Sequence, residues 1–198
     1  MSFHFPAAWR LAILALLFPA ALAAQAVETL SSPQGFHFGL MLNGSAITFE
    51  DDDVVESGGG ASVALGWGVS RAVTLFVEGS GAAVQYDGFD DTYTLGFFDL
   101  GARFNLGGPA QKVLPFLVVG YSGRAAILDL GEDLTMAGTG PTLGGGVAVF
   151  LNPKTAIDIG LKWTGGSFTE AEYAGYTETI DVAASSVRFE VGVAWWGG

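Results

Sequence analysis

Few residues in this chain are equipped for chemistry, and they fall into distinct groups. Acyl transfer or hydrolysis needs a nucleophilic hydroxyl beside a base, usually histidine, that a third polar group holds in place. Beyond residue 26 the only histidine is His37, set between Phe36 and Phe38 with no Ser-x-His or His-x-Ser motif. It reads as a structural residue facing an interior or an interface, and no catalytic residue is predicted. The 198 residues contain no cysteine, which excludes a disulfide scaffold, a thiol nucleophile and a thiolate metal site. Gly58-Gly59-Gly60 and Gly138-Thr139-Gly140 open predicted strands, whereas a phosphate loop needs a following helix whose N-terminus receives the anion.

The carboxylates form two populations. One lies in polar connections: Glu50, Asp51, Asp52 and Asp53 with Asp87, Asp90 and Asp91 supply the oxygen ligands that hard divalent cations prefer. They are a candidate Ca²⁺ or Mg²⁺ site if the first two outer loops meet; the plainer reading is that they keep the loops hydrated. No other cofactor is expected. The second population sits within apolar alternation and comes with bases: Glu78, Asp99, Asp158 and Glu190 against Arg103, Arg124, Lys162 and Arg188. Four acids facing four bases would leave a closed interior neutral, which the cost of an unpaired buried charge demands. Asp99 and Asp158 each have a base four residues on, which suggests ion-pair neutralisation. Lys162 with Glu190, and Glu78 and Asp99 with Arg103, are expected to form a network closing the interior.

The elements that carry these charges are strands. From Ser185 to Trp196 the chain puts Val187, Phe189, Val191, Val193 and Trp195 on one face and Ser186, Arg188, Glu190, Gly192 and Ala194 on the other. An apolar face opposite paired charges fits a lipid-facing wall around a polar lumen. Eight such stretches are predicted at about 35–49, 58–69, 73–86, 92–106, 114–128, 139–151, 155–168 and 177–196. The expected fold is all-β, an eight-stranded antiparallel up-and-down transmembrane β-barrel spanning residues 27–198.

Residues 1–26 read as a signal peptide. Arg10 precedes the apolar run Leu11–Phe18, and small-residue cleavage motifs follow at Ala21-Leu22-Ala23 and Ala24-Gln25-Ala26. The uncharged stretch is too short for a spanning helix, which needs roughly 20 residues. Without that segment seven bases face 20 acids, near 13 net negative, a poor match for nucleic acid, which is bound through Lys and Arg. Charge also sorts by rim. The short turns carry Arg71, Lys112 and Lys154, while the long connections and the polar strand ends beside them, with Glu56, Asp129, Glu132, Asp133, Glu170, Glu172, Glu178 and Asp181 added to the seven above, hold 15 acids and no base. Short inner turns and long outer loops are the outer-membrane arrangement. Phe49, Tyr86, Tyr93 and Phe168 above, and Trp67, Phe104 and Trp195 below, read as aromatic girdles.

Phe98-Asp99-Leu100-Gly101-Ala102-Arg103-Phe104 and Ile157-Asp158-Ile159-Gly160-Leu161-Lys162-Trp163 share one pattern. With Gly144–Val147 running into Asn152-Pro153-Lys154, and with the closing strand, the chain resembles the small eight-stranded outer-membrane barrels of the OmpA/OmpX type. The resemblance implies the outer membrane of a Gram-negative bacterium, contact with lipid and lipopolysaccharide, delivery by the barrel-insertion machinery and a partner reached through the loops. Members commonly end on an aromatic residue, whereas Gly197 and Gly198 follow Trp196 here. The expected role is a structural or surface-interaction protein with a plugged lumen. A soluble periplasmic lipocalin-like binding barrel and an outer-membrane lipid hydrolase are the alternatives.

Overall fold

Alternation of large apolar with small or polar residues carries the described residues through nine β-strands. The computed structural model describes residues 31–49, 54–85, 92–108, 111–129 and 133–197, with the side chains of Asp129 and Asp133 left aside. The predicted signal peptide and the candidate cation ligands Glu50–Asp53, Asp87, Asp90 and Asp91 lie outside the described residues. The strands are β1 (Gly35–Phe49), β2 (Val55–Gly68), β3 (Val73–Gln85), β4 (Thr92–Asn105), β5 (Val113–Asp129), β6 (Asp133–Asn152), β7 (Thr155–Thr164), β8 (Ser167–Tyr173) and β9 (Tyr176–Gly197). Every pairing is antiparallel, and β1 closes on β9 from Phe36↔Gly197 to Phe49↔Ala184. Because β7 and β8 follow one another along the same neighbours, β6 and β9, the ring has eight positions.

Three departures from the sequence reading have local causes. The seventh strand breaks at Gly165-Gly166, where Gly166 takes φ +124 and a Cβ would lie 2.5 Å from the Thr139 carbonyl oxygen. Opposite it stands Pro141, which has no N–H to give, and its carbonyl accepts from Gly165 N–H at 3.2 Å. The chain resumes as β8, which continues past 168 into a stretch expected as a loop and turns back through Ala174 (φ 51) and Gly175 (φ 79) as a two-residue hairpin. Lastly, β6 begins at Asp133 rather than 139, so β5 and β6 pair up to Asp129↔Asp133. Strands β5, β6, β8 and β9 therefore extend as a four-stranded sheet at the end of the barrel opposite the short turns. Glu170 and Glu172, expected in a connection, are strand residues on its exposed surface, as are Glu178 and Asp181 of the last strand.

Outward positions of the ring are apolar and open: Leu40, Leu65, Leu75, Leu100, Leu117, Leu143, Leu161 and Phe189, each on a different strand, are all more than a third exposed. A water-soluble sheet would cover such a surface, and a lipid-facing wall has no reason to. That excludes the soluble lipocalin-like alternative on physical grounds. Trp67, Phe104, Trp163 and Trp195 also face outward. The upper girdle does not take the form expected from sequence. Phe168 and Tyr93 are buried in the interior, Phe49 packs against the same cluster and Tyr86 lies outside the described residues.

Candidate functional site

The inward face builds three layers. At the short-turn end Phe76, Leu114, Phe116, Phe150, Ala194 and Trp196 form an apolar-aromatic floor. Glycines make room for it: a Cβ on Gly146 would approach the Phe116 Cζ to 2.8 Å and one on Gly101 would reach 3.1 Å from the Phe76 ring. The lead into β1 adds to the seal. Ser31 is buried, Pro33 is fully buried, and Ser32 N–H donates to the Pro153 carbonyl at 3.1 Å. His37 lies in this floor, buried, its ring 4.9 Å from that of Trp196. No nucleophile is hydrogen-bonded to it, since neither ring nitrogen has a partner among the described residues.

Above the floor sits the charged layer. Glu78, Asp99, Arg103, Arg124, Asp158, Lys162, Arg188 and Glu190 are all buried, at 1–6% exposure. Seven of the eight are joined. Arg103 pairs with Asp158 while its guanidinium lies 3.7 Å from the centre of the Phe116 ring. Lys162 Nζ bonds Glu78, stands 2.9 Å from Glu190 Oε2 and 3.9 Å from Asp99 Oδ2. Arg188 Nη1 lies 2.8 Å from Asp99 Oδ2 and donates to Ser80 Oγ at 3.1 Å. A hydroxyl chain extends the layer sideways, with Thr164 and Thr142 at 2.7 Å, Thr142 donating to Ser122 at 2.9 Å, and Ser122 donating to Asp99.

The partners are not those expected from spacing along a strand. Asp158 meets Arg103 rather than Lys162, and Asp99 meets Arg188 rather than Arg103. Residues four apart on one strand face stand about 13 Å apart, too far for contact, so neutralisation crosses the lumen. Arg124 has no ion-pair partner among the described residues. Its Nη1 donates to the Ala184 carbonyl at 3.0 Å and its guanidinium lies 4.8 Å from the Phe168 ring centre. A fifth inward acid also corrects the sequence count. Glu56, grouped with the outer carboxylates, points inward, is 8% exposed and accepts from the Tyr93 hydroxyl at 2.7 Å. The interior therefore holds five acids and four bases among the described residues, not four and four.

The third layer is apolar, a feature the strand charges hid. Ile47, Val84, Leu95, Phe97, Leu128 and Phe168 fill the end opposite the short turns. Leu134, Met136, Ile180 and Val182 of the extended sheet pack on it. Among the described residues no group of three or more His, Asp or Glu is placed to hold a metal ion.

A closed, eight-position, up-and-down antiparallel ring with an apolar exterior defines the molecule as a small transmembrane β-barrel of the outer-membrane type. Solved structures share that fold. Neisserial surface protein A superposes with a TM-score of 0.64 and 17% identity, covering 83% of this chain and 98% of its own. The outer membrane protein OprG from Pseudomonas aeruginosa gives a TM-score of 0.55 at 10% identity over 83% of this chain and 97% of its own. AlkL, an outer membrane protein solved in DMPC lipid bilayers, gives 0.53 at 10% identity over 98% and 96%. No protein-family model matches the sequence, and no curated protein matches it.

Proposed function

We propose that this protein is a non-catalytic anchor and interaction protein in the outer membrane of a Gram-negative bacterium, exported with residues 1–26 as a signal peptide. The observation that carries the reading is the three-layered filling of the lumen under an apolar wall. Side chains about fill an eight-stranded barrel, and here two apolar layers enclose a charged one. A solute crossing it would have to displace both. The working surface is then the end where the wall continues as the β5–β6–β8–β9 sheet. There Tyr173 and Tyr176 are cross-strand partners at the β8–β9 tip, 48% and 83% exposed, among Glu170, Glu172 and Glu178.

Lipid and lipopolysaccharide would surround the wall, the insertion machinery would place it, and an extracellular partner would meet the sheet and its connections. The acids of the outer connections serve to hold that surface hydrated. The short turns at Arg71, Lys112 and Lys154 would face the periplasm. Reconstitution in planar bilayers tests the plugged lumen: the purified barrel should insert without steady conductance, and stable single-channel currents would overturn the reading. Extraction from isolated envelopes should require detergent, and release into aqueous buffer would remove the anchor role.

A further inference from the structure

The floor and the charged layer do not meet perfectly. Between them lies a cavity of about 40 Å³, bounded by Phe76 and Phe116 below and by Lys162 and Glu190 above, with His37 and Thr74 also on its lining. Three of these bring polar atoms with no hydrogen-bond partner among the described residues: both ring nitrogens of His37, the Thr74 hydroxyl and Glu190 Oε1. Their residues are 3%, 0% and 3% exposed. Leaving a buried polar group unpaired destabilises the fold, and three beside one space share a remedy. A water needs roughly 10–15 Å³ of such volume and two to four polar partners.

We propose that this cavity is a buried hydration site, taking a cluster of two or three water molecules that ties His37, Thr74 and Glu190 into the ion-pair network. Water suits the site better than an ion. Glu78, Asp158 and Glu190 line it beside Arg103 and Lys162, so an anion would face an excess of acid and a cation would stand beside two bases. A neutral molecule that both donates and accepts serves the Thr74 hydroxyl, an imidazole with one donor and one acceptor, and a carboxylate oxygen alike. The lower lumen would thus be wet within, although its two ends are closed by apolar side chains.

The sign of one stability change tests this. Thr74→Val keeps the shape and removes the hydroxyl. With water present, the variant loses a satisfied hydrogen bond and its melting temperature in detergent should fall by a few degrees. In a dry cavity it sheds an unpaired polar group and should melt higher, which would overturn the proposal. Magnetisation transfer from water in the isotope-labelled, bilayer-embedded native barrel gives a readout that needs no variant. Transfer to the Thr74 methyl and the His37 ring is expected. Absence of transfer, with xenon shifting the Met41 and Val118 methyl signals that line the same space, would show a dry cavity.

Discussion

Glu78 and Asp99 are direct cross-strand partners of like charge, Glu78 on β3 and Asp99 on β4. Like charges so placed repel. On the other side of the barrel the same arrangement recurs with the opposite sign, Lys162 of β7 opposite Arg188 of β9. Lys162 reaches Glu78 and Arg188 reaches Asp99. Two repulsive pairs along the wall become attractive only when the ring closes, so the charged layer favours the closed barrel over any open sheet.

Removing one member should therefore cost more than removing a matched pair. Arg188→Met leaves Asp99 and Glu78 facing each other with Lys162 alone, and should destabilise the barrel by ~3–5 kcal/mol. Adding Asp99→Asn should recover a good part of that loss. Urea unfolding in lipid vesicles measures both, and simple additivity of the two variants would show that the residues are not coupled.

Gly166 and Gly175 both have positive φ, but only Gly166 is also crowded by a neighbouring backbone oxygen. Gly175→Ala should cost ~1 kcal/mol and Gly166→Ala ~2–3 kcal/mol. Equal costs in thermal unfolding would show that the break between β7 and β8 is not sterically set.

Tyr93→Phe removes the donor that holds Glu56 inside the barrel. The expected loss is ~1–3 kcal/mol, and Glu56→Gln, which still offers an acceptor, should cost less. A larger loss for Glu56→Gln would mean that the carboxylate charge, not the hydrogen bond, matters at that position.

Much of this was legible in the sequence because a period of two places residues on faces without knowledge of the partner strand. The face carrying Val187 to Trp195 and the inward placement of the eight strand charges need only that period. Pairing across the lumen needs the ring's closure and stagger, which no single strand records; hence spacing alone matches Asp158 to Lys162 along its strand, whereas the ring brings it to Arg103. Glu56 reads as an outer carboxylate because β2 begins three residues earlier than the expected strand, at Val55, and Ser57 with Gly58 to Gly60 interrupts the apolar alternation between Val55 and Val63. The apolar outer layer is not distinguishable in sequence, since Ile47, Leu95 and Phe168 have the same residue types as the wall.

The outer carboxylates from Glu50 to Asp53 with Asp87, Asp90 and Asp91 invite a calcium titration of the solubilised barrel. On the hydrated-surface reading, millimolar calcium leaves both melting and protease cleavage of the connections unchanged. A rise in melting temperature with slower cleavage would assign these residues a divalent-cation bridge.

On the proposed topology the barrel crosses the membrane with its extended sheet outside and its short turns inside. Single cysteines at Glu178, exposed on β9, and at Lys112, exposed in the turn before β5, put the two ends to one measurement in a chain that has no other thiol. An impermeant thiol reagent applied to intact cells should label Glu178→Cys at once and Lys112→Cys only after the outer membrane is permeabilised. Labelling of Lys112→Cys with protection of Glu178→Cys would reverse the topology, and equal protection of both until the cells are broken would contradict a surface-exposed outer-membrane barrel.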